Sequence, residues 1–285
     1  MKRSKRLRWT VHLLLTAICL VFAAGPHGAV AQTSRDGANA ERAPVSICQA
    51  VASAPDRPPV VRVAAQPPEK NHVRLTYINH STYYLETPDS VSIATDFAGY
   101  HGQKPVPTAV TMNKAHSSHY TLFPDEQIEH VLTGWNPNGG PIAHSLVVGD
   151  TYIRNVTTDI RSGFSGLEPD GNSIFIFEVA GLCIGHLGHL HHKLEDRHIA
   201  QIGRLDIVMV PIDGGLTLGH ESLGETVKRL RASIVLPMHR RGMALNSFLD
   251  LFGDDFDRRM MPTDNFTVSL RTLPKQPTII VLRGV

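Results

Sequence analysis

The chain has few cysteines, little net charge and no apolar run long enough to cross a bilayer. Its 285 residues include 3 Cys, and the formal net charge is +2. The longest apolar stretch, Leu13 to Ala24, falls short of the roughly 20 residues that a spanning helix needs. The small positive excess lies in Lys2, Arg3, Lys5, Arg6 and Arg8. Without that basic start the chain sums to about −3 by formal counting, and nothing in the balance suggests a nucleic-acid partner.

Residues 1–31 have the three-part build of a secretory leader: basic "MKRSKRLR", apolar "LLLTAICLVFAA", then "AVA" before Gln32. Cleavage after Ala31 and a periplasmic or secreted product are expected. Cys19 leaves with the leader, and its place inside the apolar run argues against a lipid-modified cysteine. Cys48 and Cys183 could pair in an oxidising compartment. Cys48, however, lies in a Pro- and Ala-rich stretch and Cys183 in an apolar strand-like run, so two unpaired thiols are expected, Cys183 in the core.

Residues 32–71, with segments such as "ASAPDRPPVVRVAAQPPEK", lack the periodicity of a packed element and are read as a tail or linker. One domain is expected over 72–285. It opens with short strand-like runs, "VRLTYI", "TYYLET", "VSIAT" and "TAVTM". "HSLVVG", "TYIRNVT", "SIFIFEV" and "LCIGHL" follow, with "EPDGN" read as a Gly-containing turn. "LDIVMVP" and "ASIVLPM" are continuous apolar runs of the kind buried on both faces. Between them Leu223, Val227 and Leu230 have helical spacing. "FTVSL" and "TIIVLRG" complete the strands, and such a mixture implies sheets covered by helices.

Histidine is the residue present in quantity, with 16 in the chain. "AGLCIGHLGHLHHKL" places His186, His189, His191 and His192 directly after an apolar run. His116 and His119 follow "AVTM", and His239 follows "IVLPM". Histidines converging from separate strand ends suit a transition metal, because neutral imidazole binds zinc, copper, iron or nickel without a thiolate. The competing reading of the tract is an exposed cluster that picks up metal adventitiously. His144 and His220 are further candidates beside strand and helix starts, and Asp213 in "PIDGG" reads as a turn aspartate.

The order of these pieces, "AHSSH", "GNSIFIFEVAGLCIGHLG", "LDIVMVPIDGG" and "IVLPMH", resembles the metallo-β-lactamase fold superfamily. Within it the chain is similar to the branch of metal-dependent hydrolases that includes ascorbate 6-phosphate lactonase. The resemblance runs from His72 to Val285. It implies a four-layer αβ/βα sandwich with a one- or two-metal site at the edge between the sheets, usually zinc, and a small-molecule substrate. His80 corresponds to a family histidine near the metal, in a supporting role.

The sequence departs from the family's His-x-His-x-Asp-His motif. Lys114 stands for the first histidine and Ser118 for the aspartate, leaving His116 and His119. Asp159 falls near a third histidine position, His189 replaces the bridging acid, and His239 stands as the family has it. The resemblance thus implies a single divalent metal, zinc first, held by His116, His119, His189 and His239, with Asp159 as a further ligand or the general base. His186, His191 and His192 are left as supporting or surface groups. The activity implied is hydrolysis of a lactone, ester, amide or phosphoester. The alternative is a metal- or ligand-binding protein that kept the fold without the chemistry. An iron redox enzyme is disfavoured, because such sites are richer in carboxylates.

Overall fold

The computed structural model describes residues 44–49, 67–162, 166–242 and 244–285. The leader expected over 1–31 lies outside the described residues, as does most of the tail expected over 32–71.

Among the described residues, strands β1 (Val73–Asn79), β2 (Thr82–Glu86), β3 (Ser92–Ala94), β4 (Ala109–Met112) and β5 (His130–Thr133) build one sheet together with β13 (Asn265–Val268). Its order is β13-β1-β2-β3-β4-β5. The second sheet is formed by β6 (Ser145–Val148), β7 (Thr151–Ser162), β8 (Gly166–Val179), β9 (Leu182–His186), β10 (Ile207–Pro211), β11 (Ile234–Met238), β12 (Asp257–Met260) and β14 (Thr278–Val281). These run in the order β12-β14-β11-β10-β9-β8-β7-β6.

Period-two alternation divides the first sheet between two cores. Val73, Leu75, Tyr83, Leu85, Ile93 and Ala109 join the large core shared with the second sheet. Tyr84, Ala94, Val110 and Met112 form a smaller core on the other face with Phe97 and Ile128. Loops carrying Val106, Tyr120 and Trp135 close over it. β10 and β11 pair in parallel, Ile207 opposite Ile234, and are buried throughout, as their continuous apolar runs require. Helix α1 (Asp196–Ile202) joins β9 to β10, α2 (His220–Leu230) joins β10 to β11, and α3 (Ala244–Leu249) follows β11. Leu223, Val227 and Leu230 lie on one buried stripe of α2. Arg231, in left-handed backbone at φ 55°, ends that helix. No helix among the described residues is long and apolar enough to cross a membrane.

Two expectations are corrected. "EPDGN" is not a turn: it lies within β8, opposite β7, where the register shifts between Thr158 and Ile160. Its turn chemistry serves a bulge, with Asp170 at φ 55° and its carboxylate accepting from Thr157 Oγ1 at 2.6 Å. Cys48 and Cys183 are not free thiols but a disulfide, with Cα atoms 5.9 Å apart. Residues 44–49 dock on the domain through Glu178, which accepts from Ser46 Oγ at 2.5 Å and from the Ile47 amide at 2.6 Å. Arg154 donates to the same carboxylate at 2.7 Å and offsets its buried charge. The polar and Ala/Pro-rich composition around Cys48 hid this docking, which rests on the disulfide, the Ser46 hydroxyl, backbone groups and one remote acid.

Candidate metal centre

β3-β4-β5 and β9-β10-β11-β14 are parallel runs, so their C-terminal ends gather on common edges. The candidate residues follow those ends: Asp96 after β3, His116 and His119 after β4, His189 after β9, Asp213 after β10 and His239 after β11. His80 enters from the turn between β1 and β2. Loops held on such rigid ends can bring together side chains that are remote in sequence.

The ligand atoms offered by His80, His116, His119 and His239 all lie within 4.8 Å of one another. Ring centroids are 4.1 Å apart for His80 and His239, 4.4 Å for His116 and His119, and 5.1 Å for His119 and His239. Carboxylates stand behind two of the rings. His119 Nδ1 lies 2.7 Å from Asp96 Oδ2, both side chains being wholly buried. His239 Nδ1 is 3.0 Å from Asp213 Oδ1, at ion-pair distance but off the line of a good hydrogen bond. The Nε2 atoms of His80, His119 and His239 are buried without a hydrogen-bond partner. A buried polar atom left unsatisfied costs about 1–3 kcal/mol, so three of them in one group call for a ligand.

Electrostatics disfavour protonation of His80, His116, His119 and the adjacent His189. Burial, followed by the charges of His239, His119 and His116, holds His80 down to about 4. Burial and the same neighbours push His119 and His189 well below the usual histidine range. Burial raises Asp96. Burial would also raise Asp213, but the His239 ring beside it and hydrogen bonds from Thr217 and the Gly215 amide prevail and hold it far below the usual carboxylate range. Neutral imidazoles with free lone pairs and carboxylates on the far nitrogens form the arrangement of a histidine metal site. The donor set fits a divalent transition metal such as zinc, copper or nickel better than the oxygen-seeking magnesium or calcium.

Of the residues expected from the sequence, His116, His119 and His239 are in this group. His189 is beside it, its Nε2 3.1 Å from His116 Nε2. Asp159 is not brought there: it lies on β7, where its Oδ1 accepts the Asp170 amide at 3.1 Å, and its charge acts on Arg197 and His198. The bulge that holds Asp170 thus takes up the proposed base. His80 is a member of the group, beyond the supporting role expected. Asp213 does cap its turn, accepting from the Gly215 and Leu216 amides at 3.1 and 2.5 Å, but it also faces His239.

Lys114 turns outward to pair with Glu168, and Ser118 Oγ sits 2.8 Å from His116 Nδ1. Within the tract, His186 is fully buried with Nε2 2.8 Å from the Ser81 carbonyl, and His191 is buried against His189, so neither is a surface group. His144 and His220 contact the carbonyls of Thr133 and Ile212.

Asp96, Asn113 and Asn172 escaped the sequence reading. Asn113 donates to Asp96 Oδ1 at 2.7 Å and accepts the Ser173 amide at 2.7 Å, bridging the two sheets. Asn172 Oδ1 accepts the His189 amide at 2.8 Å. Gly188, at φ 59°, permits that approach, since a Cβ there would lie 2.3 Å from Asn172 Oδ1. The available signal was a polar residue closing each apolar strand, which Asp96 and Asn113 both are.

Two facing mixed sheets with this edge site define a protein of the metallo-β-lactamase fold. A Thermotoga maritima structure of that superfamily superposes with a TM-score of 0.52 at 24% identity, covering 74% of this chain and 98% of that one. A metallo hydrolase from Ignicoccus hospitalis gives 0.50 at 19% identity, covering 70% and 99%. The family model for the beta-lactamase superfamily domain matches residues 74–239, more than half of the chain, and the chain belongs to that family. It is also 24% identical over 187 residues to a UPF0173 metal-dependent hydrolase of Methanospirillum hungatei, covering 59% of this chain and 82% of the relative.

Proposed function

We propose that this chain is an exported hydrolase working with one imidazole-held divalent metal, zinc first, on a small lactone, ester, amide or phosphoester. The observation that carries the reading is the convergence of His80, His119 and His239 through unpartnered buried Nε2 atoms, with His116 completing the group. These four residues would hold the metal. Bound there, it would polarise the scissile bond and lower the pKa of a water. Asp96 holds the Nδ1 proton of His119 on the far side, and Asp213 faces His239 Nδ1 at ion-pair distance, an arrangement that leaves the Nε2 lone pairs for the metal. The single-metal reading is supported by Lys114 turning out to Glu168 and by Asp159 being engaged with Asp170.

Export is supported by the leader-like residues 1–31 and, independently, by the Cys48–Cys183 disulfide, a bond that persists in oxidising compartments. The absence of a free carboxylate among the described residues of the group favours a second reading, metal binding without hydrolysis. The test is elemental analysis of untagged protein after zinc reconstitution, together with a hydrolysis panel over the four bond types. One zinc per chain and turnover of one class support the first reading. Metal without turnover selects the second, and two tightly held metals overturn the single site.

A further inference from the structure

Resting on that reading of the site, we infer that His189 faces the metal as an N–H donor and not as a ligand, its tautomer being dictated from outside by the Arg161 backbone amide through His191. A backbone N–H can only donate, and that of Arg161 points at His191 Nδ1 from 2.5 Å. His191 therefore carries its proton on Nε2, which lies 2.5 Å from His189 Nδ1 and donates to it. His189 must then hold its own proton on Nε2, facing His116 Nε2 at 3.1 Å. His116 in turn is left with Nδ1–H, which donates to Ser118 Oγ at 2.8 Å. The four contacts admit one direction only. Reversing it would set a protonated His191 Nδ1 against the Arg161 amide.

A neutral imidazole with its proton on Nε2 has no lone pair there to give. His189 also stands outside the four-residue group whose ligand atoms lie within 4.8 Å. When His116 Nε2 gives its lone pair to a metal, the His189 proton loses its acceptor and is left to donate to an oxygen of the substrate. His191 is a positioning residue in this scheme. The "HLGHLHH" tract thus supplies a fixed hydrogen-bond donor at the rim of the centre.

The test is long-range proton–nitrogen NMR on the full-length mature protein labelled with ¹⁵N-histidine, before and after one equivalent of zinc, with His189 assigned by its loss in His189→Gln. The expected result is a protonated Nε2 and a bare Nδ1 in both states. Loss of the Nε2 proton on zinc addition would overturn the inference. His191→Gln, whose amide can accept from Arg161 and donate to His189, should keep the tautomer, and His191→Leu should mix it. An unchanged tautomer in His191→Leu would remove Arg161 as its source. Zinc affinity should change by less than about threefold in His189→Gln but fall on the order of a hundredfold in His119→Ala. If the wild type takes up no zinc, the metal reading fails, while the tautomer in the metal-free protein still decides the state of His189.

Discussion

The backbone amide of His239 donates to the carbonyl oxygen of His80 at 2.7 Å, and both residues hold left-handed backbone, at φ 54° and 42°. Asp96, behind His119, does the same at φ 43°. Non-glycine residues are uncommon in that region and cost of order 1–3 kcal/mol there, a cost the surrounding structure must offset. The link ties the loop after β11 to the turn between β1 and β2 and sets two metal-facing rings side by side.

Removing the imidazole while relieving that backbone separates the two effects at His80. His80→Gly and His80→Ala should both lose zinc affinity, by roughly a hundredfold. The metal-free His80→Gly should be the more stable of the two by about 1 kcal/mol, because glycine accepts positive φ and alanine does not. Zinc titration and urea unfolding of both variants check this. Equal affinity to wild type would remove His80 from the ligand set.

The carboxylates behind the rings should matter without touching the metal. Asp96→Asn and Asp213→Asn should each lower zinc affinity by about 10- to 100-fold, as such outer partners do. Competition with a chromophoric chelator gives the affinities. Wild-type affinity in both variants would show that neither carboxylate orients its histidine.

Metal-stripped protein should weaken in mild acid. Burial and neighbouring charge hold His80 and His191 down to about 4, whereas in the unfolded chain histidine titrates near 6.5. Between those values the unfolded state binds more protons than the folded one, so stability falls as pH drops from about 6.5 towards 4. Above about 7 these groups contribute no slope. Urea midpoints at pH 7.5, 6 and 5 should decline in that order, and zinc affinity should fall over the same range because protons compete for imidazole. A flat profile would contradict the depressed values.

The disulfide should stabilise the fold without contributing to the metal. Its partners lie 135 residues apart, and closing so long a loop in the unfolded chain contributes roughly 2–5 kcal/mol. Cys48→Ser should lower the melting temperature and leave zinc stoichiometry at one. Loss of zinc in the folded variant would mean that the docked segment shapes the site.

Lys114 should be dispensable. It pairs with Glu168 at the surface, where such pairs contribute about 0–1 kcal/mol. Lys114→Met should leave zinc stoichiometry and turnover at wild-type values, as measured by elemental analysis and initial rates.

Legibility in the sequence followed the strength of local patterning. The buried runs of β10 and β11 and the Leu223, Val227, Leu230 stripe of α2 were plain, because burial on two faces or one dictates the residues. β12, "DRRM", is exposed at every position, and its charge suits an unpaired sheet edge, so no hydrophobic pattern marks it. α1, "DRHIAQI", buries only Ile202 and offered no period. His116, His119 and His239 could be found as histidines that end apolar strands. Asp96 and Asp213 could not be told from turn residues, since what distinguishes them is a ring reaching them from another strand. Asp159 was misplaced because a local bulge with Asp170 satisfies it.

The smaller core of Tyr84, Ala94, Phe97, Val110, Met112 and Ile128 is covered in part by Tyr120, which belongs to the same stretch of chain that presents His116 and His119. Stiffness of the loop with His116 and His119 is therefore borrowed in part from a few side chains on the far face of the six-stranded sheet, whereas His239 draws on the large interior beneath β11. A change as remote as Phe97→Ala would loosen the histidine loop while the rest of the molecule kept its shape, so amides around 114–121 should exchange with solvent faster than those of β10 and β11.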